Sequence, residues 1–145
     1  MVTSISIDVL AAKDQIRDSL YLYCRSMDRI DRALGLSIWA PGAVVDYGTK
    51  FRGSAVDFIE KVSTDHEKME ARSHQITNII IELDIEQGRA NSEAYVIASL
   101  RDAREGARKD RLIRARYLDR WILHESRWLI DHRTLQLDLV TVIPQ

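Results

Sequence analysis

The stretch SHQITNIIIELDIEQGRANSEAYVIASLR, residues 73–101, decides how this chain folds. Ser73 to Leu83 and Arg89 to Arg101 are apolar runs rich in β-branched residues, and a turn containing Glu86-Gln87-Gly88 separates them. Strands joined by so short a connection become antiparallel neighbours. Toward the C-terminus the pattern recurs over Asp110 to Leu123 and Trp128 to Leu139, with Glu105-Gly106 and Glu125-Ser126 at the turns. Four long consecutive strands are therefore predicted.

Upstream the period changes. Ile16, Leu20, Tyr23, Met27, Ile30 and Leu34 recur at alternating steps of four and three, the stripe of an amphipathic helix running from about Ile7 to Leu34. A short helix over Leu36 to Trp39 is expected to end before Pro41 and Gly42, and Ala43 to Tyr47 reads as a strand. Gly48 and Gly53 bracket a hairpin, after which Ser54 caps a helix to about Met69 with Asp57 as its capping-box partner. The sum is one α+β domain over residues 1–145, in which helices pack on one face of a curved antiparallel sheet wrapped around the long N-terminal helix. The space between helix and sheet is the natural place for a pocket.

Composition narrows the function. The 21 basic and 22 acidic residues leave a formal net charge of −1, which gives no pull toward nucleic acid or an anionic membrane. Basic residues gather between Arg101 and Arg120, but Asp102, Glu105, Asp110 and Asp119 interrupt them and no aromatic series is interleaved for base stacking. That segment reads as a solvated strand face and turn. No apolar run approaches the roughly 20 residues of a membrane span, and no signal peptide is evident, so a cytoplasmic protein is expected. Cys24 is the only cysteine and lies on the helical stripe, where it reads as a small buried hydrophobe rather than a nucleophile. No metal site or cofactor is expected, since metal-ligand spacing, a glycine-rich phosphate loop and a Gly-x-Ser-x-Gly elbow are all missing from the sequence.

Acid/base chemistry is the remaining theme. His74 opens an apolar strand, and imidazole is the side chain whose pKa lies nearest the working pH of a general base. A carboxylate on one ring nitrogen would fix the tautomer and stabilise the imidazolium, and Asp28 on the first helix can offer one. Around a regular helix Tyr23 and Asp28 lie about 140° apart, so they cannot share a stripe. Asp28 falls at the border of the apolar face, while Asp31 lies nearer the stripe and rivals it as a partner for His74. Tyr23 reads equally as packed core or as a donor. On the last strand Arg133 and His132 point to opposite faces, and either can be the inward one. Asn78, four residues beyond His74, shares its face and can contact ligand or satisfy a neighbour. His66 and His124 are expected to face solvent.

Taken in order, Tyr23-x4-Asp28-x2-Asp31, Ala43-Val-Val-Asp46-Tyr-Gly, Gly53, His74-x3-Asn78 and Trp128-Leu-Ile-Asp-His-Arg133 resemble the SnoaL-like branch of the nuclear-transport-factor-two-like superfamily. Within it the pattern is most similar to the group containing scytalone dehydratase, bile-acid 7α-dehydratase and lindane dehydrochlorinase. The resemblance implies a cone or cystatin-like α+β barrel and a cofactor-independent lyase acting on a hydrophobic, carbonyl-containing small molecule such as a polyketide, steroid or aromatic compound. It implies His74 as base, Asp28 as its partner, Tyr23 and Arg133 as polar pocket residues, and Trp128 as an alignment marker beside the pocket. A homodimer or homotrimer is expected. The same superfamily offers two other readings, a ketosteroid-isomerase-like enzyme with Asp46 as base, and a non-catalytic ligand-binding or oxygenase small-subunit module.

Overall fold

The computed structural model describes residues 6–103, 106 and 108–144. Helix α1, Ile7–Arg29, starts where the Ser6 hydroxyl accepts the Asp8 amide, and its stripe buries Ala12, Ile16, Leu20, Tyr23 and Met27. It is shorter than its apolar period implies. Ile30 adopts a left-handed conformation at φ 55°, and the Asp31 amide bonds back to the Ser26 carbonyl. Asp31 then opens a separate helix α2, Arg32–Leu36, by accepting the Leu34 amide at 3.0 Å. The turn is close, since a Cβ on Gly35 would meet Ser26 Oγ at 3.2 Å. Leu36 to Trp39 is thus not a helix of its own, because Trp39 already begins strand β1, Trp39–Asp46. Pro41 and Gly42 lie inside that strand, where the register shifts between Trp39 and Val44 and frees proline from donating to the ladder.

Strand β2, Arg52–Ser54, pairs antiparallel with β1 and leads into helix α3, Ala55–Glu67, capped by Ser54 as its sequence predicts. The four long strands follow as β3 Ala71–Asp84, β4 Arg89–Asp102, β5 Lys109–His124 and β6 Arg127–Pro144. Glu105, part of the expected β4–β5 turn, lies outside the described residues. The six strands run in the order β2-β1-β6-β5-β4-β3, and the sheet is curved and unclosed. Consecutive long strands are antiparallel, but β1 lies parallel to β6, with Val45 opposite Arg133, so the sheet is mixed rather than purely antiparallel.

The inner face of the sheet is set by strict alternation. In β4, Ala90, Ser92, Ala94, Val96, Ala98 and Leu100 all point inward. Small side chains there let the sheet come close to α1, whose Ile16, Leu20 and Tyr23 join Tyr117, Trp121 and Ile130 in one core. The sequence offers Ile80, Tyr95, Ile97, Ile113 and Trp121 as an outward apolar surface for the expected oligomer, and Ile80, Tyr95 and Ile97 do face outward. Trp121 and Ile113 do not: they oppose the inward Ala90 and Ala98 across the β4–β5 ladder, and Trp121 is buried with its indole donating to Ser92 Oγ at 2.8 Å. The end of β6 exposes apolar side chains on both faces, Leu139 and Ile143 on the outer one and Leu137, Val140 and Val142 on the inner one.

Candidate active site

Asp28 leaves the last turn of α1 on the side that meets β3, and His74 is the fourth residue of that strand, facing in opposite Ala98. The Asp28 carboxylate uses both oxygens on this one residue. Oδ1 is 2.7 Å from His74 Nδ1, and Oδ2 accepts the His74 backbone amide at 3.1 Å. An ionised carboxylate only accepts, so Nδ1 carries a proton, and in the neutral ring Nε2 keeps its lone pair. Among the described residues no protein group hydrogen-bonds that Nε2. The pair lies beside an open depression of about 350 Å³ lined by Cys24, Arg25, Gln75 and Ile76.

His66 is a correction to the sequence reading. It is buried, not solvent-facing, because the end of α3 tucks beneath the C-terminal part of α1. Its Nδ1 lies 3.4 Å from the Met27 carbonyl, and its ring centroid is 5.4 Å from that of His74. Burial, and then the neighbouring His74, lower its imidazole to about 4. His124, also expected to face solvent, ends β5 and is half-buried.

A second polar cluster surrounds Arg133. Of the two inward candidates on β6 it is Arg133 that is buried, with no exposed surface. Its Nε and Nη2 donate to the two oxygens of Asp119 at 2.7 and 2.8 Å, and that carboxylate is buried as well. The guanidinium carbon lies 3.9 Å from the Tyr117 ring centroid, 4.3 Å from Tyr23 and 5.2 Å from Trp39. Tyr23 is therefore a buried wall of an aromatic cage, set edge-on to Trp39 and Tyr117. Burial pushes the Asp119 carboxyl up, against the pull of the guanidinium beside it. Although burial alone would lower it, Asp119 holds the Arg133 guanidinium well above its ordinary value. Three buried polar atoms in or near this cage, Arg133 Nη1, Trp39 Nε1 and the Tyr47 hydroxyl, make no short hydrogen bond, although the Tyr47 hydroxyl lies near enough to Tyr23 and Arg133 to interact with both. Tyr47 and Trp39 escaped the sequence reading, which put Tyr47 at the end of a strand and Trp39 at the end of a short helix. Asp119 was masked by the charges around it, although Ala115, Tyr117, Asp119 and Trp121 alternate inward along β5.

The site residues thus fall into two groups, His74 with Asp28, and Tyr23 with Arg133. Cys24 stands between them, acted on by both Arg133 and Asp28, and burial pushes its thiol up to about 12. The remaining candidates lie elsewhere. Asp31 does not reach His74, because its carboxylate caps α2. Asp46 accepts the Gly48 amide at 2.8 Å and Arg52 Nε at 2.9 Å, and those bonds hold its carboxyl below the usual range. Asn78 does not share His74's face: the β3–β4 register shifts between Ile76 and Ile79, and the extra residue leaves it exposed. Trp128 is buried in the core. Among the described residues no group of three or more His, Cys, Asp or Glu is placed to hold a metal ion, and no helix is long and apolar enough to cross a membrane.

The SnoaL-like domain family matches residues 8–134, an interval that contains both polar groups. The chain belongs to that family. A candidate scytalone dehydratase from Novosphingobium aromaticivorans superposes with a TM-score of 0.80 at 22% identity, over 91% of this chain and 87% of that one. The LinA-type3 hexachlorocyclohexane dehydrochlorinase from Novosphingobium barchaimii gives 0.80 at 20% identity, over 94% and 93%. A cystatin-like protein of unknown function from Nostoc punctiforme gives 0.71 at 15% identity, over 94% and 96%. No curated protein matches the sequence. At these identities the structural neighbours establish the fold alone, and the function has to be argued from the site.

Proposed function

We propose that this SnoaL-like protein is a cofactor-independent lyase in which His74 is the general base and Asp28 its orienting partner. The observation that carries the reading is the clamp of Asp28 on both the ring and the backbone of His74, which leaves Nε2 as the one basic atom. The dehydratase and dehydrochlorinase among the structural neighbours support the lyase class.

In this mechanism Nε2 takes the proton α to a substrate carbonyl, and the electron pair moves onto the carbonyl oxygen as an enolate. Asp28 stabilises the imidazolium across the 2.7 Å bond. The enolate then collapses, a carbon–carbon double bond forms, and the β-substituent leaves, a hydroxyl departing as water with the proton from His74. Tyr23 or Arg133 holds the oxygen on which charge develops; both are buried in the aromatic cage, so the substrate carbonyl has to enter that cage to meet Arg133 Nη1. One such donor is worth about 2 to 4 kcal/mol. The substrate is a hydrophobic carbonyl compound, and the apolar patch on the outer sheet and β6 suits assembly as a homodimer or homotrimer.

The isomerase reading needs Asp46 as a proton shuttle, and its two hydrogen bonds and low pKa suit that poorly. Assays of His74→Ala and Asp46→Ala on a panel of hydroxylated ketones separate the two. Loss of elimination with His74→Ala alone is the expected result. Loss with Asp46→Ala and survival of His74→Ala overturns the proposal.

A further inference from the structure

The end of α3 is tied to both members of the dyad. Arg72, two residues before His74 on β3, donates through Nη1 to the carbonyls of His66 and Met69 at 3.2 and 3.3 Å. These bonds cap the last turn of α3 and fix the backbone from which the His66 side chain projects. From there the His66 ring reaches the carbonyl of Met27, the residue before Asp28, and packs at an interplanar angle of 37° against the ring of His74. One imidazole therefore lies against both the peptide that carries the carboxylate and the ring of the base. Nothing in the general-base mechanism uses it.

We propose that His66 is a positioning residue that holds the His74 ring in the orientation that gives Nδ1 to Asp28 and leaves Nε2 free. The assignment of a task to Nε2 rests on the lyase reading; the ring orientation does not. A histidine side chain can rotate about its terminal bond, whose torsional preference is broad, so the Asp28 bond alone does not fix the ring plane. The second ring blocks that rotation by contact. Its own tautomer is set by the Met27 carbonyl, which accepts the Nδ1 proton.

Charge makes the choice of imidazole specific. The titratable and charged groups acting on His66 are Asp28 from α1, and His74 and Arg72 from β3. His66 stays uncharged near neutrality, so the imidazolium formed on His74 meets a polar ring without a second cation beside it. A lysine or arginine in this place would oppose protonation of the base.

The test reads His74 directly and needs no substrate. Nitrogen-15 NMR of the imidazoles reports tautomer and pKa for His74 in wild type, His66→Ala, His66→Asn and His66→Phe. Wild type is expected to show one His74 tautomer, protonated at Nδ1. His66→Ala is expected to show mixed His74 tautomers. His66→Asn, which can still donate to Met27, should restore the single tautomer in part, and His66→Phe keeps the buried volume if alanine fails to fold. Turnover on any active ketone should fall about tenfold to a hundredfold in kcat with His66→Ala and change little in KM. A single unchanged His74 tautomer in all three variants overturns the positioning role even if elimination depends on His74. Should His74→Ala retain full activity while His66→Ala scrambles the tautomer, the lyase reading fails and the positioning role stands.

Discussion

Removing the Asp119 carboxylate is the perturbation whose cost the structure fixes most narrowly. Asp119 makes bonds of 2.7 and 2.8 Å to a guanidinium with no exposed surface, and Asp119→Ala removes both of them. Deleting one member of such a pair costs about 3 to 5 kcal/mol, because the remaining charge stays buried without compensation. The three aromatic rings around Arg133 attract it in the variant as in the wild type, so they cancel in the difference. At about 3 °C per kcal/mol for a chain of this size, the unfolding midpoint should drop by roughly 9 to 15 °C. Urea unfolding followed by tryptophan fluorescence, with calorimetry for the midpoint, measures both numbers. The double variant Asp119→Leu, Arg133→Met removes the stranded charge as well and should regain most of the loss. A loss below about 1 kcal/mol for Asp119→Ala, or a double variant no more stable than the single one, would refute the argument that Arg133 is a buried cation neutralised by this carboxylate.

Three other outcomes are expected. His66, lowered from 6.5 to about 4 by burial and then by His74, takes up its proton less readily in the folded protein than in the unfolded chain. Its contribution is therefore complete above about pH 6.5 and is lost as pH falls through about 4, a change of about 3 kcal/mol. His66→Phe should flatten that part of the stability profile between about pH 7 and about pH 4.5, and an unchanged slope in urea titrations would count against it. Cys24, pushed up to about 12 by burial, should react with an aromatic disulfide reagent no faster than the protein unfolds, so labelling that outpaces unfolding would show an accessible thiol. Arg116 bonds Asp138 and Glu93 on the partly exposed outer face, and Arg116→Ala should cost less than about 1 kcal/mol in the same assay; a loss as large as that of Asp119→Ala would mean this face is covered.

The meander from β3 to β6 was legible because alternation and short turns act locally, and both survive tertiary packing. The end of α1 was not, because the apolar period runs on through Ile30 and Leu34 while the break comes from a left-handed Ile30 and the Asp31 cap. Pro41 looked like a strand stop and is tolerated only because β1 shifts register against β6, a contact between distant segments. The proximity of His74 and Asp28 could be drawn from residue order and chemistry together. His66 could not, since a histidine in a final helical turn is buried only when another helix end lies over it. Asn78 illustrates the same point on a strand: parity put it inside, and one extra residue in the β3 ladder put it out.

Deuterium uptake tests the central claim most directly. In D2O, a base that removes an α-proton from a ketone returns deuterium to the same carbon whether or not a leaving group follows, so mass spectrometry of recovered hydroxylated ketones isolates the first step. The account predicts uptake with the wild type and with Asp46→Ala, and loss of it with His74→Ala and Asp28→Asn. Uptake at the wild-type rate in His74→Ala would contradict it.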